Sequence, residues 1–102
     1  YVDDVILRYI AEIAAATRSH PMIRLGVSPR GSLALCAASR ATALVRGRDY
    51  VTPDDIRVIV TETFAHRLLL SARAKTENIT PEQVLDEILG KVTVPRLRRY
   101  QE

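Results

Sequence analysis

Tryptophan is absent from this chain of 102 residues, phenylalanine and cysteine occur once each, and the only methionine is Met22. A single thiol, Cys36, excludes an intrachain disulfide and is compatible with a reducing cytoplasm. One Phe and four Tyr leave the core to aliphatic side chains. The only histidines, His20 and His66, and Cys36 have no metal-ligand spacing, so no metal site is expected. No apolar run approaches the ~18 residues of a membrane span, and the N-terminus lacks the basic, apolar and small-residue succession of a signal peptide. No serine, histidine and acid share a recognisable local signature of a nucleophilic triad. A G-x-x-x-x-G-K-[ST] loop and an apolar strand ending in Asp-Glu are also missing, so this chain alone cannot cradle and hydrolyse a nucleotide as a P-loop enzyme does. The formal charge of +3 is mild for a dedicated nucleic-acid domain.

Alanine-rich apolar sequence is plentiful. Hydrophobic residues make up 47% of the chain and charged residues 26%, as in a globular, helix-rich protein. The length fits one domain over residues 1–102. Tyr at position 1, with Met22 the sole methionine, predicts an excised piece of a longer chain.

The periodicity predicts an all-α fold, a small bundle of four principal helices. Residues 3–18 carry Val5, Ile6, Tyr9, Ile10, Ile13 and Ala16 at helical spacing, with Asp3 and Asp4 in the first turn and Arg18 in the last. His20-Pro21 ends this helix, and 19–27 reads as a connection. A second helix is expected from Pro29 to about Arg46, closed by Gly47 as a left-handed cap, with Leu33, Ala37, Ala41 and Leu44 as its inward face. Thr52 caps a third, Pro53 to about Arg67, with Ile56, Ile59, Val60, Thr63 and Phe64 inward. Val51 and Ile56 stand at hydrophobic-staple positions, and Asp55 can close a capping box. Thr80 starts the fourth in the same way, with Ile79 and Val84 as staple, Gln83 as box partner and a stripe of Val84, Leu85, Ile88, Leu89 and Val92. Glu87 and Lys91 form a favourable pair one turn apart. Between the last two helices, Leu68 to Leu70 are expected to pack and 71–78 to be mobile. The basic stretch Pro95-Arg96-Leu97-Arg98-Arg99 reads first as a solvated end, with a partner contact as the other reading.

One helix start departs from the other two. TPDD (52–55) and TPEQ (80–83) place acid or amide where a helix N-terminus favours it, whereas SPRG (28–31) follows the same cap and proline with a cation and a glycine. Arg30 there opposes the positive end of the helix dipole at a cost of ~0.3–1 kcal/mol, and a glycine costs up to ~1 kcal/mol relative to alanine. Both residues become useful if an anion sits at this end, where free N–H groups, the dipole and a guanidinium converge and glycine permits close approach. The other reading pairs Arg30 with an acid inside the domain.

The stretch GVSPRGSLALCAASRATALVRGRDYVTPDDI (26–56), continued by FAHRLLLS (64–71), TPEQVLDEIL (80–89) and VTVPR (92–96), resembles the C-terminal lid of MoxR-family AAA+ ATPases. G-V-S-P-R and R-G-R-D-Y-V-T-P-D-D-I are the most specific pieces. The resemblance implies a helical lid that follows a P-loop core and folds over its nucleotide. It also implies that Arg30 is the family's sensor 2 residue, with Ser28, Pro29, Arg30 and Gly31 at the ATP phosphates. ATP and Mg²⁺ would be held mainly by that core, so the parent protein would be the ATPase and this fragment alone inactive. Further implications are a homo-oligomeric, commonly hexameric ring, chaperone-like work on client proteins, partners with von Willebrand factor A domains, and a cytoplasmic location, without membrane or nucleic acid. A histone-fold-like DNA-binding module is the competing reading, because RDYVTPDDI resembles the loop and third helix of that fold. That fold needs a central helix of about 27 residues, longer than Pro29 and Gly47 allow, and the basic residues form no stripe.

Overall fold

Every long helix begins at a side-chain cap that the sequence supplies. In the computed structural model, which describes residues 2–96, Asp3 accepts a hydrogen bond from the Val5 amide and opens α1, Asp4–Ser19. Ser28 opens α2, Pro29–Val45, and Thr52 opens α3, Pro53–Phe64. Thr80 opens the last helix, Pro81–Lys91. Both predicted capping boxes are present: Thr52 with Asp55, and Thr80 with Gln83. The α2 end is a Schellman motif. Gly47 has φ 80°, its amide donates to the Leu44 carbonyl at 2.9 Å, and the Arg48 amide reaches back to Ala43 at 2.9 Å.

The remaining elements are short. β1, Ile23–Leu25, pairs antiparallel with β2, Leu69–Leu70, in a two-stranded seam. The segment 19–27 is therefore more than a connection. Segment 71–78, expected to be mobile, instead contains α4, Ala72–Thr76, with Ser71 capping the Ala74 amide and Ala74 fully buried. The final helix is thus α5. The α-helical part of α3 stops at Phe64, and a single 3-10 turn, Ala65–Arg67, completes the predicted span. Of the basic C-terminal stretch, Leu97, Arg98 and Arg99 lie outside the described residues.

The core is aliphatic around Tyr9 and Phe64, with Ile6, Ile13, Val27, Leu35, Ile56, Val60 and Leu85 fully enclosed. α1 buries Ile6, Tyr9, Ile10 and Ile13 as expected, together with Ala14 and Thr17; Val5 and Ala16 are half-buried. In α3, Ile56, Val60 and Phe64 are buried and Ile59 and Thr63 half-buried; Val84, Leu85, Ile88 and Leu89 of α5 point inward. Tyr9 keeps its hydroxyl satisfied by Arg57 Nη1 at 3.2 Å, and the same nitrogen donates to the Leu89 carbonyl at 3.3 Å.

α2 is turned relative to the expected face. Leu33 is 73% and Leu44 69% exposed, whereas Gly31, Leu35, Ser39 and Ala43 are buried. The two rows lie two positions, about 200°, apart. Both rows contain small and apolar residues, so hydropathy distinguishes them poorly. The row that packs puts Gly31 beneath the Val27 and Arg67 side chains and encloses Leu35 fully. At 17 residues, α2 is also far too short for the histone-fold reading.

Candidate functional site

α1 and α2 are joined by a loop whose geometry α1 dictates. Thr17, fully buried, donates its hydroxyl to the Ala14 carbonyl at 2.6 Å and accepts from the Val27 amide at 3.0 Å. Its neighbour Arg18 donates Nη1 to the Val27 carbonyl at 2.7 Å. Two consecutive side chains of α1 thereby hold both polar backbone groups of Val27. Gly26 lies directly on α1: a Cβ there would stand 2.8 Å from the backbone N and Cα of Arg18. Nothing larger than glycine fits without moving the loop.

From this anchored loop α2 starts. Ser28 Oγ accepts from the Gly31 amide at 3.3 Å, and Pro29 occupies the first helical position, where no N–H is needed. Gly31 is buried beneath the Val27 side chain and the Arg67 stem; an added Cβ would meet Val27 Cγ1 at 2.4 Å and Arg67 Cδ at 3.1 Å. Its small size therefore serves internal packing, a different reason from the close ligand approach inferred from sequence. Arg30 points the other way. It is exposed, and no carboxylate among the described residues pairs with it. Its amide also has no acceptor among the described residues.

Three segments bring arginines to this end of the molecule: Arg18 from α1, Arg30 from α2, and Arg67 from the 3-10 turn. Arg67 donates to the Thr63 carbonyl at 2.7 Å while its stem covers Gly31. None of the three has an ion-pair partner among the described residues. The first turn of α2 holds no acid. Arg18 and Arg67 are engaged by the Val27 and Thr63 carbonyls, which leaves Arg30, among the described residues, as the arginine of these three with a free guanidinium beside the helix N-terminus, the electrostatic condition for binding an anion. Beside it runs an apolar groove lined by Leu7, Ile10 and Ala11 of α1 and Pro29, Leu33 and Cys36 of α2.

The second distinctive motif does structural work. Asp55, fully buried, accepts from Arg48 through both oxygens, at 2.6 and 2.7 Å, from Arg46 at 3.2 Å, and from the Thr52 amide at 2.8 Å. Burial pushes the Asp55 carboxyl up, but the Arg48 and Thr52 hydrogen bonds outweigh it and hold the group below the ordinary carboxylate value. Arg48 also reaches the Tyr50 carbonyl at 3.2 Å and lies over the Tyr50 ring. R-G-R-D-Y-V-T-P-D-D-I is therefore a fastener for the α2–α3 turn. Sequence reading found the Thr52–Asp55 box but missed Arg48; the signal available was two arginines and two aspartates flanking one turn. Thr17 and Arg18 gave no such signal, since Val27 meets them only after the chain folds.

Among the described residues, no helix is long and apolar enough to cross a membrane. The profile of the AAA lid domain family matches residues 15–88. The Bacillus subtilis protein YeaC, itself uncharacterized, is 50% identical over 91% of this chain and 29% of its own length. Chaperone MoxR1 of Mycobacterium tuberculosis is 35% identical over 95% of this chain and 28% of its own. A crystal structure from Cytophaga hutchinsonii, described as a "putative ATPase", matches with a TM-score of 0.87 and 30% identity over 93% of this chain and 32% of that one. The chain thus spans under a third of the relatives it matches. By these matches the chain belongs to the AAA lid domain family, as the lid of a MoxR-type AAA+ protein.

Proposed function

We propose that this lid serves ATP hydrolysis in its parent protein by presenting Arg30 to the nucleotide phosphates as sensor 2. The observation that carries this reading is an exposed arginine, without an internal carboxylate partner, in the first turn of a helix that has no acid there. A structural arginine would be expected to make an internal hydrogen bond, as Arg48 does with Asp55 and Arg57 with Tyr9. When ATP and Mg²⁺ are bound, the metal and the upstream core supply phosphate activation and the attacking water. Arg30 contributes a planar, two-pronged donor for phosphoryl oxygens, and Ser28 and Pro29 fix the helix start that aims it. Gly31 belongs to this start through its packing under Val27. Loss of the γ-phosphate would release Arg30 and let the lid report nucleotide state.

In this reading the lid is inactive alone and works against the ATPase core of the same chain, within a homo-oligomeric, hexameric ring in the cytoplasm. The ring does chaperone-like remodelling or maturation of client proteins, including partners with von Willebrand factor A domains. Similarity to a protein named as a chaperone, MoxR1, supports that role.

The test is Arg30→Ala and Arg30→Lys in the full-length protein, read by steady-state ATPase rate and thermal melting. Arg30→Ala should lower the rate by about a hundredfold, as loss of a charge-stabilising donor does in other active sites, and leave melting unchanged. Arg30→Lys should recover only part of the rate. A wild-type rate for Arg30→Ala refutes the sensor assignment; loss of rate and melting temperature together returns Arg30 to a structural role.

A further inference from the structure

We propose that Thr17 and Arg18 are positioning residues for Arg30, an inference that rests on the sensor reading above. Val27 precedes Arg30 by three residues, and both of its backbone polar groups are held by α1: its amide by Thr17 Oγ1 at 3.0 Å and its carbonyl by Arg18 Nη1 at 2.7 Å. Val27 in turn packs its buried side chain on Gly31, the residue after Arg30. A continuous path of contacts therefore runs from the last turn of α1, through Val27, to the first turn of α2. Gly26, seated against the Arg18 backbone, removes the remaining freedom of the loop.

The arrangement is more elaborate than loop closure needs. A buried N–H must find an acceptor, but Thr17 meets that need by placing its hydroxyl between two elements, as donor to Ala14 and acceptor from Val27. Arg18, itself exposed, reaches in to hold the carbonyl of fully buried Val27. Together they set the direction in which α2 leaves α1, and hence where the Arg30 guanidinium stands. Phosphoryl transfer is sensitive to that placement: displacement of a reacting contact by about 1 Å costs on the order of a hundredfold in rate.

The experiment is a double-mutant cycle in the full-length protein, with Thr17→Val, Thr17→Ser, Arg18→Gln, Arg30→Ala and the combinations Thr17→Val/Arg30→Ala and Arg18→Gln/Arg30→Ala. Steady-state ATPase rate and KM are measured beside thermal melting. Thr17→Val and Arg18→Gln should each lower kcat by about tenfold, between no effect and full misplacement. Thr17→Ser, which keeps the hydroxyl, should restore the wild-type rate. In the Arg30→Ala background neither Thr17→Val nor Arg18→Gln should lower the rate further, because both act through Arg30. Additive losses in that background, or rates that merely follow melting temperature, overturn the proposal, with Arg18→Gln as the variant that changes no buried side chain. If Arg30→Ala is impaired while Thr17→Val and Arg18→Gln run at the wild-type rate, positioning fails and the sensor reading survives. If Arg30→Ala itself runs at the wild-type rate, the sensor reading fails and takes this inference with it.

Discussion

Arg48 grips Asp55 with both arms of its guanidinium, Nη2 to Oδ1 at 2.6 Å and Nη1 to Oδ2 at 2.7 Å, across the turn that joins α2 to α3. The carboxylate is fully buried, so the pair is unlike the exposed ion pair of Arg73 on α4 with Glu77 just past its end. Removing the charge leaves two arginines facing a site built for an anion. Asp55→Asn should cost about 3 kcal/mol, the lower end for breaking a buried pair, because Arg48 retains some access to water. Arg48→Lys should cost less but still destabilise, since an ammonium cannot bridge both oxygens. Urea denaturation of the three proteins gives the ranking; an Asp55→Asn midpoint equal to wild type would refute the fastener assignment.

The same carboxylate sets an acid limit. Burial raises its pKa and the Arg48 and Thr52 hydrogen bonds lower it more, so its folded-state value lies below the ordinary 3.8. A group depressed in the folded state contributes stability that is present above its unfolded pKa and lost as pH falls through the folded one. Exposed Glu87 shifts in the same direction, held down first by its hydrogen bond with His20 and then by Lys91. The melting temperature should therefore drop as pH is taken below about 4, near the unfolded carboxylate pKa. Asp55→Asn should melt lower at neutral pH yet lose less on acidification, and parallel melting curves would contradict this.

Gly31 offers a test of packing against propensity. Alanine in a helix is favoured by up to ~1 kcal/mol over glycine, but its Cβ would lie 2.4 Å from Val27 Cγ1. Overpacking a filled core costs ~1–3 kcal/mol, so Gly31→Ala should be net destabilising. Val27→Ala removes the obstructing methyls, and the double variant Val27→Ala/Gly31→Ala should be more stable than additivity predicts. Additive losses in thermal melts would show that Val27 does not set the limit.

Ser39 gives a prediction of the opposite sign. Its buried hydroxyl finds no hydrogen-bond partner among the described residues. Ser39→Ala removes an unsatisfied polar atom and improves helix propensity, so it should stabilise by about 1 kcal/mol. A lower melting temperature would refute it.

What could be read in the sequence was whatever neighbours along the chain decide. Thr52 with Asp55, Thr80 with Gln83, and Gly47 after α2 are local devices, and each stands where its residues predict. The facing of α2 was not legible, because Leu33 and Leu44 on one side and Leu35 and Ala43 on the other make nearly equal claims on the core, and the packing of Val27 and Arg67 over Gly31 is a contact that local sequence does not show. The strand seam was hidden for another reason: two or three residues are too few to show a period, and their partners lie at opposite ends of two helices. At the candidate site, Ser28 and Pro29 follow the pattern of the other two starts, whereas Arg30 and Gly31 stood out by breaking it. Thr17 and Arg18 did not, since a hydrogen bond to a distant loop leaves no local trace.

The seam has a consequence for how the domain assembles and opens. Between Leu25 and Leu69 lie all of α2 and α3, so β1 and β2 can meet cheaply only after the helical hairpin has shortened that loop. On contact-order grounds the α2–α3 hairpin, whose contacts are near in sequence, is expected to form before the seam, whose contacts are not. By the same reasoning the seam is expected to open before the hairpin, and amide hydrogen exchange faster in Ile23–Leu25 than in the middle of α2 and α3 would show it. A seam that closes last would fix the strand leading into Val27 only when the whole lid is assembled, so the start of α2 takes its final place together with the complete fold.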